Sequence, residues 1–115
     1  MAYGPLDSVA DNKRLDVIRK RIDGIKAQLA GIEAMRPGSL TRQYKDPENR
    51  RGPYYQLSYT RQMRSRTEYV SRDYLPELRR EIRNYKRFKA LIDQWIALSI
   101  AQSRLTMMMK RISRR

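Results

Sequence analysis

The 115-residue chain contains no histidine and no cysteine. It therefore has no thiolate, no imidazole base and no soft metal ligand, which excludes Cys/His zinc sites and most nucleophilic triads. The missing cysteines also exclude a disulfide framework and leave the redox compartment open. Acidic residues are scarce: 12 Asp and Glu against 26 Lys and Arg give a net charge of +14. Long apolar runs are absent too. The longest apolar-leaning stretch, residues 91–101, is interrupted by Asp93 and Gln94 and is about half the ~20 residues a bilayer requires. Residues 1–6 lack the basic and apolar regions of a signal peptide. The expectation is a cytoplasmic protein with no membrane partner, folded as a single domain over residues 1–115.

The positive charge is concentrated. Residues 1–35 carry six basic and five acidic side chains, residues 36–89 fifteen and six, and residues 90–115 five and one. Nineteen of the 26 cations are arginine, a bias that favours planar, bidentate grips on phosphate or carboxylate over mere solubility. A chain this basic meets polyanions wherever they are present.

Periodicity divides the chain into three parts. Leu15, Ile18, Ile22, Ile25, Leu29 and Ile32 follow a 3–4 spacing without a gap, which predicts a helix over 8–35 with a heptad-like seam, capped by Asp7 or Ser8 and stopped by Pro37-Gly38. Gly24 and Gly31 weaken that helix, either tolerated on a solvent face or marking a close backbone approach. Its seam is flanked by Arg14, Arg19, Arg21 and Lys26, so a parallel copy of itself would be repelled.

Over residues 39–70 the period changes to two. Tyr55, Leu57 and Tyr59 alternate with Tyr54, Gln56, Ser58 and Thr60, and residues 66–70 and 40–44 also fit strands. A two- or three-stranded antiparallel β-meander is predicted, with Tyr55, Leu57 and Tyr59 inward and Tyr54 outward. Residues 73–112 then read as a second helix with Asp73 as N-cap and Pro76 in the first turn. Leu78, Ile82, Tyr85, Phe88, Ile92, Trp95 and Ile96 form its apolar face. The predicted fold class is α+β, mostly α: two long antiparallel coiled-coil-like helices joined by the meander. The first helix is expected to face Leu78 through Ile96, with Phe88, Ile92, Trp95 and Ile96 as seam and assembly residues.

Catalysis has little to draw on. The acids sit near cations at surface-pairing spacings, and a tyrosine nucleophile at Tyr54 or Tyr55 lacks a base. No enzyme activity, cofactor, metal or small-molecule substrate is expected. Binding chemistry is better represented. Arg50, Arg51, Tyr54, Arg61, Arg64 and Arg66 set cations among flat rings in the meander, and Arg79, Arg80, Arg83, Lys86 and Arg87 line one side of the second helix. Cations suit phosphates, and rings suit unpaired bases.

Gly38-Ser39-Leu40-Thr41, Gly52-Pro53-Tyr54-Tyr55-Gln56-Leu57-Ser58-Tyr59, Arg66-Thr67-Glu68-Tyr69-Val70 and Asn84-Tyr85-Lys86-Arg87-Phe88 resemble an uncharacterised prokaryotic family of short basic proteins, from Gly38 to about Leu105. Many members carry a Cys-Gly-Lys-x-x-Cys-x-Cys knuckle and a His before the Gly-Pro. Here residues 45–49 replace the knuckle and Arg51 stands at the His position, so a metal role does not carry over. The resemblance implies no activity, only an association with mobile-element or DNA-handling systems. Two functions are expected, and they are not exclusive. One is a nucleic-acid-binding accessory subunit, for DNA or RNA, within a larger nucleoprotein machine. The other is a coiled-coil interaction module that forms a homo-oligomer or larger protein complex, or docks on an acidic protein.

Overall fold

The computed structural model describes residues 5–113, with side chains from residue 9 to residue 112. Helix α1 spans Pro5–Ala30, followed by strands β1 (Ser39–Asp46), β2 (Arg51–Arg61) and β3 (Arg64–Val70) and then helix α2 (Leu75–Ser113). This is an α+β chain dominated by helix. The residues fall into two compact units: the described residues up to Gly31 together with those from Lys89 onward, and Ile32–Phe88. Among the described residues no helix is long and apolar enough to cross a membrane.

In the helical unit α1 and the later part of α2 run antiparallel. Lys13, Arg14, Val17 and Ile18 share a groove with Leu105, and Arg21, Gly24, Ile25 and Gln28 share another with Gln94, Ala97 and Leu98. Leu15, Ile22, Ile25 and Leu91 are buried there, while Ile18 and Leu29 are half-buried. The heptad spacing thus produces the expected seam, but only as far as Leu29. The helix stops at Ala30, where Gly31 N–H bonds back to the Gln28 carbonyl at 3.2 Å. Ile32 lies past the helix end, in the other unit. Asp7 and Ser8 fall within α1 rather than before it, and their side chains lie outside the described residues. A Cβ on Gly24 would meet nothing within 4 Å, so no backbone approaches it closely.

In the other unit the sheet order is β1-β2-β3, antiparallel throughout. Leu40 pairs with Leu57, Arg42 with Tyr55, and Tyr55 with Val70. Leu57, Val70, Leu75, Leu78 and Ile82 form the core, with Leu40, Tyr55 and Tyr59 packed against it. Leu78 and Ile82 therefore cover the sheet. These two residues, expected to face the first helix, spend their apolar surface on the three-stranded sheet, packing with Leu57 and Val70. Pro53 is tolerated in the central strand because β3 pairs β2 only from Tyr55 onward; at Pro53, opposite Tyr44, β2 is locally an edge.

Left-handed backbone recurs between the elements, as at Arg50 and Gly52 where β1 connects to β2. The β2–β3 hairpin is closed by Gln62 (φ 51°) and Met63 (φ 64°), between the Arg61↔Arg64 pair. This is the two-residue geometry that normally selects Asn-Gly. Gly38 (φ 139°) precedes β1, and a Cβ there would sit 2.6 Å from Leu57 Cδ1. Before α2, Ser71 precedes a single 3-10 turn, Arg72–Tyr74, and makes no side-chain cap bond. Asp73 lies inside that turn, while Pro76 occupies the first turn of α2, where its missing N–H costs nothing.

Candidate nucleic-acid interface

Strand alternation sorts the side chains of the sheet by chemistry. With Leu57 inward, the register puts Leu40, Arg42, Tyr44 and Asp46 of β1 on its face, with Arg51, Pro53, Tyr55, Tyr59 and Arg61 of β2 and Arg64, Arg66, Glu68 and Val70 of β3. The opposite face carries Ser39, Thr41, Gln43, Tyr54, Gln56, Ser58, Thr60, Ser65, Thr67 and Tyr69, with Lys45 at its end. The strand arginines thus all share the face that α2 covers. The other face is almost uncharged and is laced by hydroxyl pairs: Ser58 with Thr67 at 3.5 Å, and Thr60 with Ser65 at 3.3 Å.

This separates residues that the linear sequence interleaves. Tyr54 stacks on Tyr69, with centroids 6.5 Å apart and 24° between planes, on the uncharged face. Arg61, Arg64 and Arg66 lie on the other face, at the hairpin end. Arg50, in a left-handed conformation, and Arg51 lie at the far end of β2, about 33 Å from Arg61 at the ordinary rise per residue. One compact cluster of Arg50, Arg51, Tyr54, Arg61, Arg64 and Arg66 does not form.

A different group does come together. Between β1 and the start of α2 lies an open cleft of ≈ 610 Å³, lined by Arg42, Tyr55, Arg79, Ile82, Arg83 and Lys86 and by the backbone-rich corner at Gly38, Ser39 and Leu40. The sequence brings Arg79, Ile82, Arg83 and Lys86 to one side of α2 by their i, i+3, i+4, i+7 spacing. Arg42 joins them across the β1 edge, its guanidinium 5.4 Å from the Tyr44 centroid and 6.0 Å from that of Tyr55. Four cations thus line one cleft, and no carboxylate is among its lining residues. Arg80 and Arg87 are exposed but do not line it. Sequence reasoning missed Arg42. Its signal was the period-two position relative to Leu40, which becomes informative once β1 is known to pair with β2.

Tyr59 and Glu68 on this face are already engaged, and Asp46, opposite Arg51, accepts from Asn49. Arg36 stacks over Tyr59 at 4.8 Å and pairs with Glu68 at 2.6 Å, and Tyr59 donates to the other Glu68 oxygen at 2.9 Å. The hydrogen bond from Arg36, then that from Tyr59, hold the Glu68 carboxyl below the usual carboxylate range; the Arg36 guanidinium is raised by the same bond. Arg36 N–H also reaches the Glu81 carbonyl at 3.0 Å, and Asn84 Nδ2 the Ala34 carbonyl at 2.8 Å. These bonds pin residues 34–36 to α2. Tyr74 donates to the Glu81 carboxylate, which holds the Tyr74 phenol above its ordinary value.

No curated protein and no solved structure matches the chain. A family profile does match over residues 15–80, from α1 through the meander to the first turns of α2. That span begins earlier and ends sooner than the Gly38–Leu105 resemblance read from the motifs. Because it covers more than half of the chain, the protein belongs to this family, a domain of unknown function (DUF6788).

Proposed function

We propose that the protein binds nucleic acid, with the cleft of Arg42, Arg79, Arg83 and Lys86 gripping consecutive phosphates. The carrying observation is that four cations converge on one open cleft with no carboxylate among its lining residues. Such a group repels itself in the free protein and is relieved when a polyanion enters. Arginine supplies three of the four, which suits bidentate phosphate contacts. Tyr55 gives the cleft a flat floor on which a sugar or base can rest. Arg61, Arg64 and Arg66, on the same side of the sheet, extend the positive surface beyond the cleft. The motif resemblance favours a place for this activity as an accessory subunit of a DNA-handling machine.

The test is binding of nuclease-treated protein to labelled single- and double-stranded DNA and RNA across a salt series. Four phosphate contacts predict a log–log salt slope of about −3 to −4, set by counterion release. Binding to no form, or binding whose slope is near zero, would remove the proposal.

A further inference from the structure

The later part of α2 is apolar on two sides. At about 100° per residue, Leu91, Leu98 and Leu105 fall toward α1, where Leu98 and Leu105 line the shared grooves. Ile92, Ile96, Ile100 and Met107 fall on the side away from it. That second side is open: Ile96 is 54% exposed, Ile100 48% and Met107 60%. Ile92, Trp95, Ile96, Ser99 and Ile100 line an apolar groove of ≈ 370 Å³ along it. A helix that is apolar around most of its circumference belongs in a bundle, and one partner helix covers only half of it.

The charge pattern identifies the occupant. In a chain that is one-third charged, residues 90–103 contain a single charge, Asp93. Depletion of charge around an aromatic and aliphatic patch is the composition of an interface core. It also makes this one of the few surfaces on which two copies of a +14 chain meet without repulsion. The ends of the run fix a direction. Asp93 and Arg104 lie on the same flank of the open stripe, eleven residues apart. In an antiparallel pair centred between Leu98 and Ser99, Asp93 of each copy comes opposite Arg104 of the other. A parallel pair would set Asp93 against Asp93 and Arg104 against Arg104. Ala97, Ser99, Ala101 and Ser103 keep the helix slim around that centre.

We infer that the protein is a twofold dimer in which the open faces of α2, centred on residues 98–99, pack antiparallel with reciprocal Asp93–Arg104 pairs. The surface lies outside the family-matched residues 15–80 and is independent of the cationic cleft.

The test is sedimentation equilibrium of the nuclease-treated full chain at about 0.15 M salt, where ion pairs are screened beyond roughly 8 Å but not at contact. The wild type should be a dimer. Ile96→Lys, at an exposed site that the monomer fold does not need, should give a monomer with unchanged helix content by circular dichroism. Asp93→Arg and Arg104→Asp should each weaken the dimer about tenfold by creating like-charge contacts, and the double variant should restore it. A wild type that stays monomeric at roughly 100 μM, too weak to matter on the affinity scale, would overturn the inference. So would a dimer indifferent to Ile96→Lys or to the charge reversals.

Discussion

Glu68 shows how a single residue in a cation-rich chain decides what its neighbours are free to do. By holding Arg36 and Tyr59 it removes one cation and one ring from the proposed binding surface. Its folded-state pKa is lowered, so its contribution to stability is present above the unfolded carboxyl pKa, near 4.3. It is lost as pH falls through the still lower folded value. Glu68→Gln should therefore flatten the acid limb of the thermal-stability profile below about pH 4.3 relative to wild type, and matching profiles would contradict this. Tyr74 has the opposite sign. Its raised pKa contributes stability below the unfolded phenol value, lost as pH rises through the folded one, and Tyr74→Phe should steepen nothing in acid. Two packing positions have clear expectations. Leu57 is 1% exposed at the centre of the sheet core, and Leu57→Ala should cost about 2–5 kcal/mol in denaturant unfolding. Gly38→Ala should be destabilising by about 1–3 kcal/mol, through its φ of 139° and the 2.6 Å approach to Leu57.

At the scale of elements, the β2–β3 hairpin is held by its strands despite its turn. Gln62 and Met63 both adopt left-handed backbone, and Met63 is 99% exposed. Replacing the pair with Asn-Gly should raise stability by about 1 kcal/mol without altering binding, read as a shift in urea midpoint. The meander was legible in the sequence because Tyr55, Leu57 and Tyr59 alternate strictly with polar residues, and the inward set is the one the alternation predicts. The seam of α1 was legible for the same reason, through its 3–4 spacing. What the sequence hid was partnership. Periodicity says that Leu78 and Ile82 must be covered but not by which element, and a sheet takes them here. It also cannot say that Tyr54 of β2 and Arg66 of β3 lie on opposite faces until the register is known. Arg42 was overlooked because a short edge strand gives few alternations to count.

Charge is divided unevenly between the two units. The unit of Ile32–Phe88 concentrates charge on one side of a thin sheet and leaves the other nearly neutral, while the helical unit holds the charge-poor run 90–103. Net charge alone would let any polyanion bind weakly and diffusely. A shaped cleft makes a sharper claim, that particular cations dominate. The most direct test compares the salt slopes of nucleic-acid binding for wild type, an Arg42→Gln/Arg83→Gln double variant and an Arg50→Gln/Arg51→Gln control. The account predicts that the cleft variant loses about two units of slope magnitude and at least tenfold in affinity near 0.1 M salt, while the control, removing the same charge far along β2, changes little. Equal losses in the two variants would mean that charge acts without regard to position, and would contradict a phosphate-binding cleft.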